Sequence, residues 1–312
     1  MERGNRRITP LRADILAWPV WLVLWAWLAW LLPGPAMAQD DWLRDSWRDV
    51  IAGSPFDEPL QVDSQARSHS VSGSVHARVH QPFERLADEL SSPAAWCEIL
   101  FLHLNVKGCL HGPGGGAEGT ALALFVGRQD QVDPAHAERL DLRWRIVTRQ
   151  PRYLDLALEG DEGPYGTRAF RLQLRAVPDD DDHSLVQLRY SLVFGMAARL
   201  ALRGYFTFGG RDRVGFTLEG TGAGGQPTHV GGTRGMIERN VMRFYLALEA
   251  HLDTRTLPET ERLDASLERW FTLTMRYPRQ LFEIDRATYL DQKRLEYQRQ
   301  QALAREAAPG GR

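Results

Sequence analysis

The sequence predicts an α+β fold in which a curved antiparallel sheet grips one long helix near the C-terminus. Three observations predict it. Within Gly231–Leu252, residues Ile237, Val241, Phe244, Tyr245, Leu248 and Leu252 recur at steps of three and four, with no breaker after Gly235. At 3.6 residues per turn they share a face, which describes a long amphipathic helix. Between Thr120 and Leu218 the chain alternates apolar and polar residues in short runs separated by turn residues, the pattern of an antiparallel sheet with one wet face. Ahead of that run stand one alternating stretch and two short helical ones.

Each element follows in order. Arg3, Arg6, Arg7 and Arg12 precede an apolar run over Ile15–Leu32, and Pro33-Gly34-Pro35-Ala36-Met37-Ala38 follows it. A basic start, an apolar middle and an Ala-x-Ala end describe a secretory signal peptide over 1–38, cut after Ala38. The alternative is an uncleaved anchor, since a spanning helix needs roughly 17–25 apolar residues. The chain is then expected to be periplasmic or secreted, or else held in the inner membrane by residues 15–32. Residues 39–69 read as a short helix over Asp40–Ile51 and a proline-bearing linker over Gly53–Gln65. Ser70–Val79 alternates as a first strand. Pro82–Leu90 and Ala94–His103 read as two helices broken at Ser91-Ser92-Pro93. Strands are expected over Thr120–Gly127, Leu140–Val147, Tyr153–Glu159, Phe170–Val177 and Val186–Phe194, with a last pair at Tyr205–Phe208 and Val214–Leu218. Thr256-Leu257-Pro258-Glu259 has the form of a capping box and opens a helix to about Tyr277, with Leu263, Leu267, Trp270 and Phe271 as its stripe. Residues 285–307 are polar and read as a solvated helix that frays, within an extension over 253–312.

The formal charge is −2 over 312 residues, so nothing draws the chain as a whole to nucleic acid. Lys107 and Lys293 are its only lysines. Its two cysteines, Cys97 and Cys109, are a disulfide candidate in an exported protein, the alternative being a buried pair of free thiols.

One strand, two short helices, a run of antiparallel strands and a long amphipathic helix, over Ser70–Val79, Pro82–His103, Thr120–Leu218 and Gly232–Leu252, resembles the START-like, helix-grip superfamily, also called SRPBCC. The resemblance covers about 70–252 and rests on element order. It implies a sheet curled around the C-terminal helix, a cavity between them, and lipids, sterols, polyketides or other apolar molecules as ligands. A minority of the superfamily catalyses cyclisation or hydrolysis.

Pockets of that kind are apolar with a few polar anchors. Trp144 and Tyr190 on strands, and Asn240, Tyr245 and His251 on the long helix, are the expected ligand-binding set. Against each stands an ordinary role: core packing for Trp144 and Tyr190, a packing hydrogen bond for Asn240, a helix-dipole partner for His251. No catalytic residue, metal site or cofactor is assigned. Gly112–Gly119 lacks the Lys-Ser/Thr ending of a phosphate loop. Asp179–Asp182 with His183 lacks the spaced glycine of a calcium hand and reads as a solvated turn. His76 and His80 share a strand face but stand too far apart for co-ligands. The function expected is an exported protein that binds or carries an apolar small molecule or lipid, with no nucleic-acid partner and only transient membrane contact unless the signal stays uncut. The alternatives are an envelope structural or interaction protein with a filled core, and an enzyme on an apolar substrate.

Overall fold

The computed structural model describes residues 35–112, 119–129, 133–195, 213–222 and 224–307. The chain divides into two units, Met1–Gln39 and Asp40–Arg312, and the fold below is that of the second. The expected signal peptide falls almost wholly outside the described residues, and Ala38 lies within helix α1 (Pro35–Ala52). Among the described residues no helix is long and apolar enough to cross a membrane.

Eight strands form one antiparallel sheet, in the order β1-β2-β8-β7-β6-β5-β4-β3. They are β1 (Leu60–Ala66), β2 (Ser70–Val79), β3 (Val106–His111), β4 (Thr120–Val126), β5 (Glu138–Gln150), β6 (Tyr153–Glu162), β7 (Thr167–Pro178) and β8 (Ser184–Phe194). Helices α2 (Phe83–Leu90) and α3 (Pro93–Phe101) sit between β2 and β3. The long helix α4 is Gly232–Thr254, followed by α5 (Glu259–Thr274), α6 (Pro278–Leu281) and α7 (Arg286–Ala307). The α+β class, the large antiparallel sheet and the C-terminal helices are as the sequence predicts.

Alternation decides which face is buried. Leu140, Leu142 and Trp144 of β5, Leu154, Leu156 and Leu158 of β6, and Leu172 and Leu174 of β7 all turn into one core. Helix α4 lies on that face over β1, β2 and β8. Gly73 sets its approach, because a Cβ there would stand 3.2 Å from Val241 and 3.3 Å from Ile237. The opposite face is also partly covered: Trp47 and Ile51 of α1 pack on Val177 and Leu185.

Several expectations are corrected. The linker expected over Gly53–Gln65 contains β1, an edge strand paired with β2 from Leu60↔Ala77 to Ala66↔Val71. Beyond α3, Cys109 lies on β3, a strand the sequence reading did not find. Ile146 continues the alternation of Leu140, Leu142 and Trp144 yet is exposed, because the β5–β6 register shifts between Ile146 and Thr148. The strand expected at Tyr205–Phe208 lies outside the described residues; Leu218–Thr221 (β9) instead pairs with Pro227–His229 (β10). The capping box does not form: α5 begins after Pro258, which bonds no side chain to the helix end. In the turn Asp179–His183, Asp180, Asp181 and Asp182 are exposed as expected, but the Asp179 carboxylate is 5% exposed between Arg48 and Arg78, at 2.5 Å from each.

The largest correction concerns α7. In place of a frayed solvated helix, it docks on β3 and buries Tyr289, Lys293 and Glu296. Lys107 Nζ donates to Leu104 O at 2.8 Å and to Glu296 Oε1 at 2.9 Å. Lys293 Nζ donates to Val106 O and to Glu296 Oε2, both at 2.7 Å. Both lysines of the chain thus share one buried carboxylate. Lys293 also sits 3.7 Å above the Phe101 ring, a cation–π contact. Cys97 on α3 and Cys109 on β3 are at disulfide distance, with Cα atoms 5.2 Å apart, and Gln300 of α7 accepts from the Cys109 amide at 2.7 Å.

Candidate functional site

A single cross-strand row runs over the core face of the sheet. Register pairs Thr120 with Trp144, Trp144 with Leu158, Leu158 with Leu172, Leu172 with Tyr190 and Tyr190 with Gly73. Helix α4 meets this row at Gly73 through Ile237 and Val241. One turn on from Val241, Phe244 reaches Tyr190, ring centroids 5.6 Å apart and near perpendicular. Tyr190 also meets Phe170 at 5.1 Å, and Phe244 meets His103 at 4.9 Å. The result is an aromatic cluster where α4 leaves the sheet, continued along the row by Leu172, Leu158 and Trp144.

Two polar atoms break this apolar surface. Trp144 Nε1 is buried with no hydrogen-bond partner, and so is His103 Nε2. A buried N–H without a partner costs about 1–3 kcal/mol and is rare enough in folded proteins to need a reason. The proton on His103 can be assigned. The Asn105 amide donates to Nδ1 at 3.1 Å, so that nitrogen is an acceptor. Burial, reinforced by Arg243, Lys293 and Lys107, holds the imidazole pKa well below its usual range. The ring is therefore neutral and carries its proton on Nε2. Asn240 is the side chain that approaches the ring, but it does not complete a hydrogen bond to Nε2. Burial pushes the Tyr190 hydroxyl up in pKa as well, so the polar rings of the cluster are neutral near pH 7.

The five residues expected to bind ligand therefore separate. Trp144 and Tyr190 lie on one row, and Asn240 joins them through His103. Tyr245 sits elsewhere, among Glu249, Glu58 and Tyr277, where burial and those neighbours raise its pKa. His251 is 3% exposed and ties the end of α4 to the first helix pair: Nε2 meets Glu89 Oε1 at 2.8 Å and Nδ1 meets Glu98 Oε2 at 3.4 Å. It borders a different depression of ≈ 360 Å³, lined also by Cys97, Arg262, Tyr297 and Gln300. His103 and Phe170 were missed. Phe170 carried a signal in the alternation of its strand; His103 carried none, because nothing local marks a histidine that distant elements enclose.

Among the described residues no group of three or more His, Cys, Asp or Glu side chains could hold a metal ion. His76 bonds Gln187 at 2.7 Å, and His80 meets His183 with ring centroids 4.9 Å apart and the planes tilted by 47°.

No family model matches the chain, and no curated protein matches it. Solved structures with a similar trace include norcoclaurine synthase from Thalictrum flavum, 14% identical over 48% of this chain and 79% of that one, with a TM-score of 0.31. The Zhui aromatase/cyclase from Streptomyces sp. R1128 is 13% identical over 68% and 94%, with a TM-score of 0.36. A conserved protein of unknown function from Enterococcus faecalis is 6% identical over 74% and 97%, with a TM-score of 0.33. At these values the likeness carries nothing about activity, and the antiparallel sheet with its overlaid helix rests on the chain's own register and contacts.

Proposed function

We propose that the protein binds an apolar small molecule or lipid against the core face of the sheet, in the crevice bordered by Trp144, Phe170, Tyr190 and Phe244. The observation that carries this reading is the Trp144 indole N–H, buried among apolar side chains with nothing to donate to. A ligand oxygen placed there would recover the hydrogen bond, and the rings would bury the apolar remainder. His103 Nε2 supplies a second neutral donor, with Asn240 beside it. The absence of charge suits an uncharged or weakly polar ligand, since a buried ionised group would need a partner. Residual exposure of 6–8% at Trp144, Phe170, Tyr190 and Phe244, against 0% at Leu158 and Leu172, agrees with a crevice at this end of the core. Export, with the protein acting as a carrier outside the cytoplasm, is the companion proposal; it rests on the signal-like N-terminus and the cysteine pair.

Native mass spectrometry of the protein purified from its own host, followed by denaturing extraction, tests the reading. A stoichiometric apolar adduct is expected, and Trp144→Phe is expected to weaken its retention by about tenfold, the loss of one buried hydrogen bond. Repeated absence of an adduct, with no uptake of a fluorescent lipid, would instead favour a filled core and an interaction protein of the envelope.

A further inference from the structure

We propose that the outer face of the sheet carries an oxyanion site, suited to a phosphate group, where β1, β2, β7 and β8 meet. It stands apart from the crevice on the core face and does not depend on it. A depression of ≈ 320 Å³ opens there, lined by Arg67, Arg171, Arg189, Ser72, Ser191 and Gln65 among others. Register builds it: Arg171 is opposite Ser191, Ser191 opposite Ser72, and Ser72 opposite Gln65, one row across four strands. Arg189 reaches into the same row, its guanidinium 3.4 Å from Ser72 Oγ. Arg67 stands in the turn between β1 and β2, closed by its own amide donating to Ser70 O at 2.8 Å.

A β-bulge adds a fourth arginine. Arg168 and Arg171 are an odd number of residues apart, so a regular strand would send them to opposite faces. The β7–β8 register shifts between them, leaving Arg168 opposite Val193 and Arg171 opposite Ser191, which share a face. The bulge includes Ala169 at φ 47, in the left-handed region that a non-glycine residue adopts only at a cost. That strained residue keeps both arginines outside while Phe170 still points into the core.

Few carboxylates offset the cluster. Arg171 pairs with Glu159 at 2.9 Å, but Glu159 also serves Arg145. Arg67, Arg168 and Arg189 form no ion pair with any described residue, although Glu162 is opposite Arg168 on β6. The polar side chains of the lining are thus guanidiniums, hydroxyls and an amide, donors that suit an oxyanion. Arginine forks engage phosphate oxygens two at a time, with an advantage in geometry as well as charge. The volume admits a phosphate with a short substituent.

Titration calorimetry of the full chain with inorganic phosphate, against chloride at equal ionic strength, tests the site. Saturable one-to-one binding is expected, weakened at least about tenfold in Arg67→Gln/Arg189→Gln, with the melting temperature unchanged because both side chains are exposed. A phosphate response matched by chloride, or one unaltered in the double variant, would overturn the proposal. Flotation with phosphatidylglycerol or phosphatidylcholine vesicles identifies the source of the phosphate. Capture by the anionic vesicles alone, lost in the double variant, assigns a lipid headgroup; saturable phosphate binding without capture assigns a free phosphate compound.

Discussion

Lys293 is a basic group held where water cannot reach it, and burial lowers its pKa from 10.5 to about 8 despite the attraction of Glu296. The sign of the consequence follows from proton counts. Between the two pKa values the unfolded chain holds a proton that the folded chain has released, so stability rises with pH across that window. Below it both states are protonated and the folded state carries the full penalty of a buried charge, on the order of 3 kcal/mol for a depression of this size. Urea unfolding at about pH 7 and about pH 9.5, below the main tyrosine ionisation, should show this rise, and Lys293→Met should remove most of it. An equal rise in the variant would assign the effect to other groups. None of this was legible in the sequence, where Lys293 stands in a polar run. The same holds for Glu238, which is not among the apolar positions of α4 and is yet fully buried. Its carboxylate accepts from the amides of Phe216 and Thr217 at 2.6 and 2.9 Å, and from Thr217 Oγ1 and Ser64 Oγ at 2.8 and 2.5 Å. A charge can be buried when its partners are assembled from distant segments, and helical spacing does not report those partners.

Between elements, the closest fit is α4 on β2, and it turns on one missing side chain. Gly73 faces Ile237 and Val241 at distances that leave no room for a branched residue, and the carbonyl of Ile237 stands 3.4 Å from the position of a Cβ. Gly73→Val is therefore expected to push α4 outward and to cost about 2 kcal/mol, as overpacking in a close-packed core does. A denaturant midpoint unchanged from the parent would show that α4 can slide freely. The displacement would also carry Phe244 away from Tyr190, so ligand retention and stability should fall together. At this scale much was legible. Strands with one wet face announced themselves through alternation, as at Leu140, Leu142 and Trp144, and α4 through its periodicity. The strands of the large sheet that were missed are β1 and β3, and each has a physical reason. Asp63, Ser64 and Gln65 dilute the apolar signal of β1, an edge strand with only one sheet partner. On β3 both faces are covered, so Val106, Lys107, Gly108 and Cys109 are all buried and no alternation survives. The aromatic cluster was half legible: Trp144 and Tyr190 were read from their strands, while His103 depended on how α3, α4 and α7 come together.

Over the whole molecule, the C-terminal region completes the fold. The resemblance by element order separated residues 70–252 from an extension over 253–312, but α7 closes the β3 edge of the sheet, and Tyr289 Oη donates to Leu102 O at 2.8 Å from within the core. An exposed sheet edge invites pairing with other chains, and here α7 covers one. The means is the Lys107–Glu296–Lys293 group, with side chains at most 1% exposed. A buried ion group of this kind is weak evidence for net stability, because desolvation cancels most of the attraction. What it does enforce is one register of α7 on β3, since a shift would leave charges unpaired. The two parts of that reading predict different outcomes for two variants. Glu296→Gln leaves two buried ammonium groups without a counter-charge and is expected to cost about 3–5 kcal/mol, the scale for breaking one side of a buried pair. Replacing Lys107, Glu296 and Lys293 together by methionine removes both the charges and their desolvation, and is expected to leave stability within about 1–2 kcal/mol of the parent or above it. Chemical unfolding of both variants, with amide exchange followed across α7, measures the contrast. If the triple variant falls as far as the single one, the ion group contributes net stability. If it keeps its midpoint while exchange across α7 rises, the charges select the docked register that apolar packing alone leaves loose.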